Sequence, residues 1–287
     1  MARIRITTAR TRRGGAALLG AACLLSGCAP AAVAPERPRD AAHPTIVSLN
    51  PCLDAILVEI APPTQVLALS HYSRDPSSSS LAPGVAARYG VTGGTAEEVI
   101  AARPDLVLAS IYIPQPTRSA LERAGLRVAT FGSPTTIAES LAQVGEVAAL
   151  AGRRAEGAAL ARRIAAPAAL PPGAPIDTLL WQPGEIVAGE NTLIAELLRK
   201  EGFASHAARR GLGQADAVRL ETVLADPPRL LLVAGDAAGQ RHPVLARASA
   251  RMQVAAFDPS LIYCGGPTIP RARARLRAIR AAVEGQG

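Results

Sequence analysis

The chain has 287 residues, of which 49% are hydrophobic and 3% aromatic, and its formal net charge is +8 at pH 7. Five of the positive charges are arginines before position 14. Without them the net charge falls to +3, so the sequence argues against a nucleic-acid partner. After residue 27 no stretch is long and apolar enough to cross a membrane, and the remaining length suits one large or two small lobes.

The first 27 residues have the order of a secretion signal. A basic segment ending at Arg13 is followed by the apolar run Ala16–Leu25, which is shorter than the roughly 20 residues needed to span a bilayer. The next residues, Ser26-Gly27-Cys28, complete a tetrapeptide that resembles the bacterial lipobox, in which the cysteine is lipidated and becomes the first mature residue. We therefore predict a signal peptide over 1–27 and a protein held by lipid on the periplasmic face of a membrane. A signal with an incidental cysteine is the alternative.

Two segments follow the predicted lipid site. Residues 28–44 are rich in alanine and proline, with almost no large apolar side chain, and we predict a flexible tether. Over 45–133 short apolar strands such as Asp105–Ala109 alternate with helical runs, which predicts an α/β lobe with a largely parallel sheet. Thr95, followed three residues later by Glu98, fits a capping box at one helix start.

The middle of the chain has a different pattern. Residues 134–166 carry no strand signal, and apolar side chains recur at helical spacing from Ile137 onward. We predict one helix of about thirty residues, roughly 45 Å long. Four prolines between 167 and 175 end it, and strand-helix alternation then resumes. The predicted fold is α/β, with two mostly parallel α/β lobes, 45–133 and 167–287, joined by a single long backbone helix.

This layout resembles the periplasmic substrate-binding proteins of ATP-driven importers for cobalamin, ferric siderophores and haem. The strongest match is Gly94–Ala109, a helix and strand joined by Pro-Asp-Leu-Val, with a weaker echo at Leu220–Val233. Ser48–Cys52 and Tyr263–Pro267 extend the resemblance over the predicted lobes. The resemblance implies a lipid-anchored receptor that captures a corrinoid, haem or siderophore and passes it to an ABC permease and its ATPase.

Ligand contacts are expected where strands end. In two-lobed α/β proteins the ligand lies outside the carboxyl ends of the strands. Four of the eight aromatic residues fall at such positions, and flat rings with a polar edge suit a large planar ligand. An ordinary half-buried aromatic is the alternative for each ring, and an ion pair with Asp75 is the alternative for the arginine. The predicted ligand-binding residues are Asn50, His71, Tyr72, Arg74, Tyr112, Trp181, Gln182 and Tyr263.

Two acidic residues are candidates for contact with the permease. Glu97 lies in the first turn of its predicted helix, where the resemblance implies a glutamate that docks onto permease arginines. In the second lobe Glu190 is the nearest candidate, although it lies near rather than at the matching position. A solvated acid at a helix start is the alternative for both.

Two further cysteines remain after the predicted lipid site. Cys52 and Cys264 are an even pair in an oxidising compartment, so a disulfide between them is one hypothesis. Free buried thiols, or thiolates that touch a metal of the ligand, are the alternatives.

Catalytic and metal-binding motifs are absent from the sequence. We find no nucleophile elbow, Walker sequence or paired metal-ligand motif, and we predict a protein that is not an enzyme and has no cofactor or resident metal. Direct metal binding by His71 is a minor alternative. A sensor lipoprotein of the same fold is the main competing function, and a hydrolase is a weaker one.

Overall fold

A computed structural model describes residues 42–166, 173–213, 215–248 and 251–285. The predicted signal peptide, the predicted lipid site Cys28 and nearly all of the predicted tether lie outside this part of the chain. No helix within the described ranges combines the length and apolar character that a membrane span requires.

The N-terminal lobe is built around one parallel sheet. Its strands are β1 (Ile46–Ser48), β2 (Val66–Ser70), β3 (Val91–Thr92), β4 (Leu106–Ser110) and β5 (Val128–Phe131). Its helices are α1 (Pro51–Ile60), α2 (Pro83–Ala86), α3 (Ala96–Ala102) and α4 (Gln115–Arg123), with a 3₁₀ turn at His71–Arg74. The strand order is β3-β2-β1-β4-β5, so all five strands end at the same edge.

The C-terminal lobe repeats this plan with four strands. They are β6 (Ile176–Trp181), β7 (Phe203–Ser205), β8 (Leu230–Val233) and β9 (Gln253–Ala256), in the parallel order β7-β6-β8-β9. Its helices are α7 (Leu193–Lys200), α8 (His206–Arg209), α9 (Leu220–Ala225), α10 (Val244–Arg247) and α11 (Thr268–Glu284). The predicted class, two α/β lobes with parallel sheets, is confirmed.

The segment between the lobes differs from the prediction. It is two helices, α5 (Ile137–Leu150) and α6 (Arg154–Ala165), rather than one continuous helix. Gly152 has φ of 69°, and the backbone N–H of Arg153 donates to the Ala148 carbonyl at 2.7 Å, which is the hydrogen bond of a Schellman helix end. The chain then folds back so closely that a Cβ on Gly157 would lie 2.2 Å from the Cβ of Ala148.

Helix starts follow the sequence with one difference. The Thr95 hydroxyl accepts a hydrogen bond from the Glu98 backbone at 3.3 Å, as a cap should. The Glu98 carboxylate does not return to the Thr95 backbone to complete the capping box. It accepts instead from the Gly93 backbone at 2.6 Å and from the Thr92 hydroxyl at 2.7 Å, which fixes the turn before α3.

The two lobes share one apolar core and several polar contacts. The largest cluster of buried side chains includes Ile46 from β1, Val144 from α5 and Leu232 from β8. On the α5 side, the Ile137 backbone N–H donates to Glu196 of α7 at 2.7 Å. Near α11, the Ser80 hydroxyl donates to the Ser260 carbonyl at 2.6 Å. The lobes are therefore packed and bonded to each other at more than one point.

Candidate ligand-binding site

A cleft opens between the lobes where strands of both sheets end. Its volume is about 340 Å³, within the range of about 300–1,000 Å³ that is usual for small-molecule sites. We call it the interlobe cleft. It is lined by Asn50, Cys52, Leu53, Gly132, Ser133, Pro134, Thr135, Gln143, Gln182, Ile186, Val187, Ala188, Thr192, Leu193, Ile194, Ala215, Ile262, Tyr263, Cys264 and Gly265.

Larger cavities lie elsewhere in the described part of the chain. Cavities of about 470 and 650 Å³ are lined by the C-terminal lobe alone, and one of about 430 Å³ lies at the amino ends of the N-terminal strands and beside α5 and α6. None of these three cavities lies between the two lobes. The cavity of about 470 Å³ also lies beyond the carboxyl ends of strands, β8 and β9, where ligands of open α/β sheets bind, but it belongs to one lobe. The interlobe cleft is the better candidate despite its smaller volume, because both lobes line it.

Asn50 enters the cleft through its role as a helix cap. It follows β1 and accepts hydrogen bonds through its side-chain oxygen from the backbone N–H groups of Cys52, at 2.8 Å, and Leu53, at 3.4 Å. The cap uses the oxygen of the amide, so its NH₂ group stays available for another acceptor. Position and orientation of this side chain are therefore set by the start of α1.

The structure joins Cys52 and Cys264 in a disulfide. Their Cα atoms are 5.1 Å apart and both residues line the cleft. Cys52 lies at the start of α1 in the N-terminal lobe, whereas Cys264 precedes α11 in the C-terminal lobe. The bond thus crosses from one lobe to the other at the cleft, and it leaves neither sulfur as a free thiol.

The tyrosines predicted at strand ends are unusually exposed. Tyr72, Tyr112 and Tyr263 have relative exposures of 51%, 79% and 39%. Tyr263 lines the cleft directly, while Tyr72 follows β2 and Tyr112 follows β4 at the same edge of the sheet. The loop after β2 approaches Tyr263: burial, then the negative charges of Asp75 and Asp258, raise the pKa of the Tyr263 hydroxyl.

Trp181 does not lie in the cleft, contrary to the sequence prediction. It is the last residue of β6, is only 1% exposed, and packs in the apolar core of the C-terminal lobe. Its indole N–H donates to the Val218 carbonyl at 2.9 Å. Gln182, the first residue after β6, lines the cleft, whereas Trp181 does not.

His71 and Arg74 are placed at the edge of the N-terminal sheet but outside the cleft lining. The His71 Nδ1 atom lies 3.3 Å from the Thr92 carbonyl, and its ring centroid is 4.1 Å from that of Tyr72. Arg74 donates through Nη2 to the Tyr89 carbonyl at 2.8 Å. The alternative ion pair with Asp75 is not present in the described part of the chain. Within the described ranges no group of three or more His, Cys, Asp or Glu residues is arranged to hold a metal.

Residues 46–250 match the family model of the periplasmic binding proteins. The chain belongs to this family. It is a family of solute-binding proteins and not an enzyme family. A search of curated protein sequences finds no significant match to the chain.

Solved structures of periplasmic binding proteins share the fold. The haem-binding protein HutB of Vibrio cholerae superposes with a TM-score of 0.67 at 16% identity, over 82% of this chain and 98% of that one. The haem-binding protein RhuT from Roseiflexus sp. RS-1 gives 0.64 at 21% identity, over 84% and 98%. The vitamin B12 binding protein BtuF of Vibrio cholerae gives 0.61 at 17% identity, over 84% and 97%. At these identities the likeness concerns the fold alone.

Because the two lobes of this periplasmic binding protein have the same plan, Glu97 has an equivalent position in the C-terminal lobe. Glu97 is the exposed second residue of α3, and α3 leads into β4, the neighbour of the central strand β1. In the C-terminal lobe α9 leads into β8, the neighbour of the central strand β6, and its exposed second residue is Glu221. Glu190 instead lies between cleft-lining residues and forms an ion pair with Arg199. The position equivalent to Glu97 is therefore Glu221 rather than Glu190.

Asp54 is a buried acid that the sequence analysis overlooked. It lies on α1 directly after the cleft-lining Leu53, and its carboxylate accepts from the Ser70 backbone at 2.9 Å and the Ser73 hydroxyl at 2.6 Å. Burial raises the pKa of Asp54 to about 7, against the opposing effect of hydrogen bonds from nearby serines. An aspartate in the otherwise apolar segment Leu53–Leu57 was the available signal. Its role is to tie α1 to the turn that carries His71 and Tyr72.

Proposed function

We propose that this periplasmic binding protein captures a corrinoid, haem or ferric-siderophore ligand in the interlobe cleft and delivers it to an ABC importer, while Cys28 anchors it by lipid to a membrane. The observation that carries the proposal is the position of the exposed tyrosines. Tyr263 lines the cleft, and Tyr72 and Tyr112 follow strands that end at the same edge. Proteins that share the fold bind haem or vitamin B12, and this supports a macrocyclic ligand for the present cleft.

The exposed rings favour a large ligand with flat surfaces. Each ring offers wide apolar area that is fixed by few rotatable bonds, so stacking on it costs little side-chain entropy. Covering about 50–100 Å² of apolar surface per ring at about 25 cal/mol per Å² contributes about 1.3–2.5 kcal/mol each. A small ion would leave these rings in water, whereas a macrocycle or an iron chelate would cover them.

Docking on the permease is proposed to use Glu97 and Glu221. Both are exposed and occupy the same place in the two lobes, one at the start of α3 and the other at the start of α9. The helix N-terminus favours the ionised carboxylate, so each lobe presents a negative charge to a basic partner. Charge reversal of both residues should abolish uptake while leaving ligand affinity unchanged. Charge reversal at Glu190, which forms an ion pair with Arg199, is the control and should leave uptake unchanged.

Equilibrium titration tests the ligand class. We expect one of haemin, cyanocobalamin or a ferric siderophore to shift its visible absorption on binding the full-length protein, with saturation at one site. Tyr263→Ala should weaken that ligand, whereas Ile100→Ala, an exposed apolar residue on α3, should not. Failure of all three classes to bind at micromolar concentration would overturn the proposal.

A further inference from the structure

The lining of the interlobe cleft is uncharged. Every side chain that lines it in the described ranges is apolar, an amide, a hydroxyl, or part of the disulfide. The polar members include Asn50, Gln143, Gln182, Thr192 and Tyr263. A ligand in this cleft meets hydrogen-bonding groups of both polarities but no guanidinium, ammonium or carboxylate.

The amides of the cleft keep hydrogen-bonding capacity for a ligand. Gln143 donates through Nε2 to the Gly132 carbonyl at 2.8 Å, which leaves its carbonyl oxygen as an acceptor. Asn50 uses only its oxygen in capping α1, so its NH₂ group remains a donor. The side chain of Gln182 makes no hydrogen bond within the described part of the chain. Donors and acceptors are therefore both available, as a ligand that carries primary amides requires.

Three acidic groups lie next to the cleft. The negative charges of Asp75 and Asp258 act on the Tyr263 hydroxyl and, after burial, raise its pKa. Glu139 accepts from the backbone N–H and the hydroxyl of the cleft residue Thr135, at 2.7 and 2.9 Å, and these bonds lower the pKa of its carboxyl. All three acids are therefore in place to repel an anionic ligand.

Two arginines outside the cleft lining donate to backbone carbonyls. Arg74 donates to the Tyr89 carbonyl at 2.8 Å, and Arg271 donates to the Ser80 carbonyl at 2.9 Å. Neither side chain lines the cleft. A carboxylate buried against the cleft lining would lose its hydration without gaining a cationic partner there, which is costly, whereas an amide would find hydrogen-bond partners in the lining.

We propose that the interlobe cleft selects a corrinoid, a ligand whose buried periphery is neutral and rich in amides. It would bind haem, which carries carboxylates, and anionic iron chelates more weakly. This inference rests on the proposed function and narrows it to one ligand class. Neutral amide groups match the free donors and acceptors of the lining, and the macrocycle matches the exposed tyrosines at the edge. Selection then depends on the absence of a cation from the lining as much as on any single contact.

The decisive comparison uses two ligands that differ by one group. We expect the full-length protein to bind cyanocobalamin. Its monocarboxylic acid, in which one peripheral amide has become a carboxylate, should bind at least about tenfold more weakly. A tenfold difference in affinity corresponds to about 1.4 kcal/mol. Haemin and a ferric catecholate should bind more weakly than cyanocobalamin. Calorimetry or the shift in visible absorption measures each affinity.

A charge introduced into the cleft provides the matched variant. Gln182→Lys should reduce the preference for the amide over the carboxylate ligand, because the new cation can pair with the acid. Ala155→Lys adds the same charge on the exposed face of α6, away from the cleft, and should leave the preference unchanged. Tighter binding of haemin or a catecholate than of cyanocobalamin would overturn this inference but leave the proposed function standing. If no ligand of any class binds, the proposed function fails and the inference with it.

Discussion

Ser140 of α5 accepts a hydrogen bond from the backbone N–H of Gly266 at 2.7 Å, although the two residues are 126 positions apart. A Cβ on the adjacent Gly265 would lie 2.6 Å from the same hydroxyl, so the backbone before α11 lies directly against α5. This contact holds the C-terminal lobe to the helix that leaves the N-terminal lobe, at the base of the cleft.

We expect only a small change of shape on ligand binding. Hinge closure requires lobes that can rotate about a few residues, and here the lobes share a core, a disulfide and the bond from Gly266 to Ser140. The radius of gyration from solution X-ray scattering should be nearly the same with and without saturating ligand. A clear contraction in the presence of ligand would contradict this.

The disulfide should contribute strongly to stability. Cys52 and Cys264 are separated by 212 residues, and closing a loop of that length restrains the unfolded chain by about 5 kcal/mol in the entropic model, with typical measured values of about 2–4. The Cys52→Ser, Cys264→Ser double variant should lose a comparable free energy of unfolding in urea. Thiol titration of the denatured, unreduced wild-type protein should find no free thiol at these two positions, and two reactive thiols would exclude the bond.

Asp54 should make the protein less stable as the pH rises from 3.8 towards 7. The unfolded chain releases the Asp54 proton near the ordinary pKa of 3.8, whereas the native state keeps it until about 7. The native state therefore binds more protons in this window, and stability falls with increasing pH by up to about 4 kcal/mol. Above about 7 the effect is complete.

Denaturant titrations across that pH range test the role of Asp54. Asp54→Asn should remove the slope, because the variant has no proton to lose. Asp75→Asn is the opposite control: hydrogen bonds from Ser77 and Ser78 lower the pKa of the exposed Asp75, so its contribution is lost as the pH falls. A wild-type protein with the same slope as Asp54→Asn would show that the buried carboxyl is ionised throughout.

Trp181 and Tyr112 should respond in opposite ways to substitution. Trp181→Phe removes a buried indole and its bond to the Val218 carbonyl, and should cost about 1–3 kcal/mol of stability without changing ligand affinity. Tyr112→Ala removes a ring that is 79% exposed, and should leave stability within about 0.5 kcal/mol while weakening the ligand. Urea unfolding and ligand titration of both variants separate a core residue from a contact residue.

Cys28→Ser should release the protein from the membrane. Several acyl chains on one cysteine hold a protein firmly, whereas a chain without them has no such anchor. Fractionation of cells that express the variant should place it in the soluble fraction. Cys23→Ser, in the apolar run before the predicted cleavage point, is the matched control and should stay with the membranes.

The sequence was a good guide to features with a local cause. Strands were predictable because apolar runs such as Leu106–Ala109 are preceded by turn residues, and Thr95 was predictable as a cap from its side chain. The division of the middle segment was missed because the apolar spacing continues through the turn at Gly152, where only the positive φ and the Schellman hydrogen bond reverse the chain. Periodicity measures which face is buried and does not record a change of direction.

The cleft was predictable only in part. Asn50 and Gln182 line it because one directly precedes α1 and the other directly follows β6, and Tyr263 lines it from the loop between β9 and α11. Trp181 was misplaced because it is still the last residue of β6 and packs in the core, whereas the cleft begins with the next residue. Glu221 could be recognised as the equivalent of Glu97 only by matching the two lobes element by element. This matching required the strand order of both sheets.

The span of the disulfide also sets an order for the maturation of the protein. Cys52 is synthesised 212 residues before Cys264, so it stays unpaired while nearly the whole of both lobes is made. The bond can form only when the last segment before α11 has emerged and packed against α5. Formation of the bond therefore marks a chain that has been made at least as far as Cys264. A truncated product lacking residues after Ile262 would present a reactive thiol to the oxidising and quality-control enzymes that it meets.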